Sequence, residues 1–267
     1  MTKETPTPAP RDTVSEAIQA AARDGRPALV GFLTAGFPTR ASFQTHLAAV
    51  AKVCDVVEIG VPFSDPMADG TTVQRASFVA LRDGVTLPWI LEEATLHATR
   101  HSTPILLMSY LNPLLQYGLD TLPRASAAAG VAGFIVPDLP FEESHDLKQA
   151  LDREGLALIQ MVTPVTPLER LAMLCREAQG FVYAVTMTGT TGTREGPAEV
   201  PREVLDYMDR VKSCSSVPVC AGFGIRSRAQ VGRFAGHVDG VVVGSALVET
   251  LERGEDVEAF LRSLRAA

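Results

Sequence analysis

Eight short apolar runs recur along the chain, each separated from the next by enough residues for one helix. This spacing limits the fold more than any other feature. The runs are PALVGFLTA (27–35), VVEIGV (56–61), ILLMSY (105–110), GFIVPD (133–138), ALIQMV (157–162), FVYAVT (181–186), VPVCAGF (217–223) and GVVVGSA (240–246). They are continuous rather than alternating, the pattern of parallel strands covered on both faces. The segments between them, such as EESHDLKQALDREG and PLERLAMLCREAQG, have helical periodicity and end on Gly, as helix C-termini do. Eight βα units with no long linker predict a closed (β/α)8 TIM barrel, an α/β fold. An open doubly wound sheet is the alternative, weakened because no GxGxxG follows the first run.

An extra helix is predicted before the first strand, in VSEAIQAAARDG (14–25), where it would plug or flank the barrel base. The preceding MTKETPTPAPRDT is rich in Thr and Pro, so residues 1–12 are expected to form a disordered lead and residues 13–267 a single barrel domain. The length of 267 residues suits one such barrel. With 24 Lys+Arg against 31 Asp+Glu, the formal charge is −7. That sign disfavours nucleic acid and anionic membrane surfaces as partners. No signal-peptide core or membrane-length apolar run is present, so a cytoplasmic location is expected. Cys54, Cys175, Cys214 and Cys220 lack CxxC spacing and read as reduced, mostly core thiols.

The second run poses a chemical question, because Glu58 sits between Val56, Val57 and Ile59 and the loop beyond it holds Asp65 and Asp69. A carboxylate in such a setting must be paired or shift its pKa. Glu58 could serve a structural hydrogen bond, or form an acid/base pair with a second carboxylate in a different environment. Asp65, in Ser-Asp-Pro, also fits plain turn chemistry. Glycines follow the last three runs: TMTGTTGTREG (186–196), GFG (222–224), and Gly244 with Ser245, which could begin a short helix. Barrels often bind phosphate there with backbone N–H groups and a helix N-terminus, so a small phosphorylated substrate is expected.

Other chemistries lack their residues. The four lysines, Lys3, Lys52, Lys148 and Lys212, lie in the lead or on predicted helices, which disfavours a Schiff-base aldolase or a chain-bound pyridoxal phosphate. None of the five His residues is expected at a strand end, so no metal site is predicted. His97 and His101 are four apart, but no Glu follows His97 as a zinc helix requires; a solvated helix end is expected instead.

The segments GFLTAGFPT, EIGVPFSDPMADG, MSYLNPLLQYG, GFIVPDLPFEES, TGTTGTREG, GFGI and DGVVVGSALV resemble, in order and spacing, the signatures of the tryptophan synthase alpha subunit family. The resemblance runs from about Phe32 to Leu247. It implies a lyase of tryptophan biosynthesis that cleaves indole-3-glycerol phosphate to indole and glyceraldehyde 3-phosphate without a cofactor of its own. By the same resemblance Glu58 is the catalytic acid/base, and Asp69 is the carboxylate that receives the indole N–H. Tyr183, Phe32 and Phe223 would line the indole site, while Gly192, Gly224, Gly244 and Ser245 would form the phosphate cradle. Thr191 would belong to a loop that closes over the ligand and contacts the catalytic aspartate. Thr71 stands where the family usually has Pro, and Thr190 where Val is common.

The family also implies a beta subunit carrying pyridoxal phosphate, in an alpha2beta2 assembly, with Pro62, Asp65, Asn112 and Pro113 facing it. Two other readings stay open on the same residues: a stand-alone indole-releasing lyase of a specialised pathway, and a mainly regulatory partner subunit.

Overall fold

The computed structural model describes residues 9–185, 200–222 and 224–265. The strands are β1 (Ala28–Thr34), β2 (Val56–Gly60), β3 (Ile105–Met108), β4 (Val131–Ile135), β5 (Ala157–Leu158), β6 (Gln160–Val162), β7 (Val182–Val185), β8 (Val219–Gly222) and β9 (Gly240–Val243). The helices are α1 (Pro10–Arg23), α2 (Phe43–Ala51), α3 (Thr71–Arg82), α4 (Leu87–Ala98), α5 (Leu111–Tyr117) and α6 (Leu122–Ala128). They continue with α7 (His145–Arg153), α8 (Leu168–Glu177), α9 (Arg202–Cys214), α10 (Arg228–Phe234), α11 (Ser245–Glu252) and α12 (Val257–Leu264).

Every strand pairing is parallel, in the order β5-β4-β3-β2-β1-β9-β8-β7-β6. The two ends of that order are consecutive in the chain and separated by Ile159 alone. Residues 157–158 bond toward β4 while 160–162 bond toward β7, and the Ile159 N–H still donates to the Phe134 carbonyl at 2.9 Å. The fifth apolar run thus fills one of the eight places in the ring as two strands, and nearly closes the TIM barrel.

Two apolar clusters follow from the strand pleat. Outward residues such as Leu29, Leu33, Val57, Ile59 and Leu107 pack with the surrounding helices. Inward residues, among them Ala28, Val30, Val56, Leu106, Ile159 and Phe181, meet Val14, Ile18 and Ala21 of α1. Those three residues lie on one face of the helix, at spacings of four and three, so α1 plugs the base of the barrel. Ser15 Oγ donates to the Gly180 carbonyl, and the Arg11 N–H donates to the Gly155 carbonyl at 3.0 Å. The plug begins at Pro10, within the stretch read as a disordered lead, because Pro suits the first helical turn.

The helix carrying His97 corrects one expectation. His97 is 1 % exposed rather than solvated, because it continues the inward face of Ile90, Leu91 and Ala94 in α4. Its ring stacks on His101 at 4.8 Å, and burial together with His101 lowers its pKa. Cys54, Cys175 and Cys220 are buried, and Cys214 is half-buried. No helix of the described residues is long and apolar enough to cross a membrane.

Close approach of strands is set by glycine. A Cβ on Gly133 of β4 would lie 2.5 Å from the Ala157 carbonyl oxygen, and backbone cannot give way as a side chain can. In contrast, a Cβ on Gly232, in α10, would meet nothing within 4 Å. Gly133→Ala should therefore lower stability by about 1–3 kcal/mol or more through overpacking. Gly232→Ala should raise it by about 0.5–1 kcal/mol through reduced unfolded-state entropy. Urea titrations of both variants check the opposite signs.

Candidate active site

Register decides which way Glu58 points. Phe32, Glu58 and Leu106 are partners across β1, β2 and β3, and Leu106 belongs to the barrel interior. Parallel partners share a face, so Glu58 is turned inward. It is 0 % exposed, and neither carboxyl oxygen finds a protein partner among the described residues. Desolvation without compensation pushes its pKa up to about 8.

Asp69 reaches the same space from the loop between β2 and α3. The loop is braced by its backbone: Asp69 N–H donates to the Pro66 carbonyl at 3.1 Å, and Gln74 Nε2 donates to the Asp69 carbonyl at 2.9 Å. Asp69 is half-buried. Burial raises its pKa to about 6, opposed by a hydrogen bond from the Tyr110 side chain. Neutral pH thus lies between the two carboxyl groups, with Glu58 mostly protonated and Asp69 mostly ionised.

Both residues line a cavity of about 140 Å³, with Phe32, Met108, Met161 and Tyr183 among its walls. Two glycines admit its aromatic rings. A Cβ on Gly60 would stand 2.6 Å from the Phe32 ring, and one on Gly222 would stand 2.6 Å from the Tyr183 ring. Burial, with Glu58 and Asp69 nearby, raises the Tyr183 pKa, so its phenol is a neutral hydrogen-bonding group. Gly224, Gly244 and Ser245 line the cavity too. Gly224 has φ +68°, and a Cβ there would meet nothing within 4 Å. Ser245 opens the eight-residue α11, with Gly244 as its N-cap. The first amides of such a helix have no partner within it and favour an anion.

The structure therefore brings Phe32, Glu58, Asp69, Tyr183, Gly224, Gly244 and Ser245 to one cavity. Thr191, Gly192 and Phe223 lie outside the described residues. Pro62 and Pro113 line a separate groove of about 570 Å³ with Val85, Leu87 and Tyr117, while Asp65 and Asn112 are exposed beyond it. Sequence reasoning missed Met108, Met161, Val185 and Val242, which line the cavity, and Tyr110, which reaches Asp69. Their inward direction follows from strand register, and a tyrosine at a strand end was the one readable signal for Tyr110. No group of His, Cys, Asp and Glu suited to a metal occurs among the described residues.

An unpartnered carboxyl costs stability in a defined pH window. The folded pKa of Glu58, about 8, lies above the ordinary 4.5. The folded protein therefore keeps a proton that the unfolded chain releases, and stability falls as pH rises from about 4.5 to about 8. Glu58→Gln removes this loss. The variant should match wild type near pH 4.5 within about 1 kcal/mol and exceed it by a few kcal/mol near pH 8.5. Urea denaturation across that range measures the difference, and a gap independent of pH would contradict the assignment.

Comparison with known proteins places this geometry. The family model described as tryptophan synthase alpha chain matches residues 18–266. The tryptophan synthase alpha chain of Desulfovibrio desulfuricans is 47% identical over 251 residues, spanning 93% of this chain and 97% of the relative. That of Geobacter sulfurreducens is 43% identical over 251 residues, spanning 91% and 94%. Among solved structures, Mycobacterium tuberculosis tryptophan synthase aligns with a TM-score of 0.87 at 36% identity, covering 94% of this chain and 96% of that one. A chain from the tryptophan synthase a2b2 complex of Pyrococcus furiosus aligns with a TM-score of 0.81 at 32% identity, covering 90% and 98%. The chain belongs to the tryptophan synthase alpha chain family, lyases of tryptophan biosynthesis.

Proposed function

We propose that the chain cleaves indole-3-glycerol phosphate to indole and glyceraldehyde 3-phosphate, with Glu58 as acid and base and Asp69 as the carboxylate facing the ring nitrogen. The observation that carries this reading is the split between the two groups: a carboxyl kept protonated by burial and a second one mostly ionised, on one cavity.

The residues suit each step. Protonated Glu58 gives its proton to indole C3, and the positive charge that develops at the ring nitrogen is met by ionised Asp69. The resulting Glu58 carboxylate takes the proton of the side-chain hydroxyl beside the scissile bond. As that oxygen becomes the aldehyde carbonyl, the electron pair of the carbon–carbon bond returns to the ring and neutralises the nitrogen. Glu58 ends the cycle protonated, and no water, metal or redox partner is consumed. Phe32 and Tyr183 offer flat apolar walls to an indole ring, while Gly224, Gly244 and Ser245 offer the anion-binding end.

The reading includes a cytoplasmic alpha2beta2 assembly in which only the beta subunit carries pyridoxal phosphate. The name of the Pyrococcus furiosus complex supports such a partner. The groove lined by Pro62 and Pro113 supplies a surface for it, with Asp65 and Asn112 exposed nearby. Thr191, Gly192 and Phe223 keep their proposed roles at the ligand.

The test is indole release by the purified chain, with and without a beta subunit. Glu58→Gln should lose roughly 10²–10⁴-fold in turnover, the usual worth of a placed acid/base group. It should still bind a non-cleavable indolyl phosphate analogue within a few-fold of wild type. Retention of more than about half of wild-type turnover would remove Glu58 from the chemistry.

A further inference from the structure

We infer that Tyr110 is the positioning residue for Asp69: its hydroxyl is fixed by the Ala68 N–H and turns its own proton to the Asp69 carboxylate. The inference rests on the proposed role of Asp69 and adds the group that keeps this carboxylate ionised and aimed.

Tyr110 follows β3 and is 4 % exposed. Three contacts hold it. Its ring stacks on Phe63 of the second loop, with centroids 5.2 Å apart and planes at 30°. Its carbonyl accepts from Ser109 Oγ at 2.8 Å. Its hydroxyl oxygen accepts from the Ala68 N–H at 2.9 Å. A hydroxyl that accepts from one neighbour still has its own proton to give, and the carboxylate of the next residue, Asp69, which lines the same small space as Tyr110, is the acceptor at hand. The same loop segment thus supplies both partners of one hydroxyl, so its position and the carboxylate's are tied together.

Physical consequences follow for ionisation. A donor aimed at a carboxylate favours the charged form, opposing the burial that raises Asp69. Among the described residues, the other titratable groups facing this space are Glu58 from β2 and Tyr183 from β7. Glu58 is held neutral by burial, and Tyr183 has a raised pKa. From α3 the walls are Val73 and Ser77, and from the β8 and β9 side Gly224, Gly244 and Ser245. No Lys or Arg of the described residues lines the cavity, so among the described residues the Tyr110 hydroxyl is the group placed to offset desolvation of Asp69.

Tyr110→Phe tests this while keeping the ring, its burial and its stack on Phe63; exposed Ala68 can turn its N–H to solvent. The primary readout is a carbon-13 titration of aspartate-labelled protein, with the Asp69 signal assigned from Asp69→Asn. This readout does not depend on catalysis. The Asp69 midpoint, about 6 in wild type, should rise in the variant. In indole release, kcat/KM should then drop roughly three- to tenfold near pH 5.5 and less than about twofold near pH 8. An unchanged or lower midpoint, or an equal fold-loss at every pH, would overturn the inference. If wild type itself releases no indole, the proposed reaction fails, and the titration alone still decides what Tyr110 does.

Discussion

The rest of the site is arranged around one uncompensated group, the carboxyl of Glu58, enclosed in a barrel wall with no protein partner among the described residues. An ordinary core would place Val or Leu at this register position, as β3 does with Leu106. A buried carboxyl is tolerated only if it keeps its proton, and that need fixes its chemical character: a neutral acid at physiological pH. The surrounding fold then has to keep water out and keep the group still. The strand register, the α1 plug and the aromatic rings admitted by Gly60 and Gly222 meet those needs. A site that sacrifices stability in this way is a common feature of enzymes.

Contrast between two carboxyls matters more than either alone. Glu58 sits on a strand, where its backbone is fixed by neighbours on both sides. Asp69 sits on a braced loop, half-buried and within reach of Tyr110. Strand and loop thereby give two environments from chemically similar groups, one neutral and one charged. The proposed reaction needs that pair, because a carbon must be protonated while charge at a nitrogen is stabilised. The far end of the cavity is different again. It relies on backbone at Gly224 and on the start of α11 at Gly244 and Ser245, which suits a phosphate without any lysine.

Much of this was legible in the chain because its signals are local. Eight apolar runs with helical spacers gave the barrel, and VSEAIQAAARDG gave a helix to plug or flank its base. Glu58 stood out because a charge in an apolar strand has no ordinary packing reason. What stayed hidden depends on which segments become neighbours. The run ALIQMV does not reveal that it bonds in two directions about Ile159. His97 looked like a polar helix end, but the face it continues is buried. Tyr110 gains its meaning from a loop about forty residues earlier in the chain, a contact no local pattern encodes.

The central claim is that Glu58 is neutral at physiological pH because burial, not a partner, sets its state. Infrared difference spectra between wild type and Glu58→Gln read that state directly, using glutamate labelled with carbon-13 at the carboxyl. Near pH 6.5 the difference should contain a protonated carboxyl band, which fades as pH rises with a midpoint of about 8. A carboxylate signal already present at pH 6.5, with no protonated band, would contradict the claim.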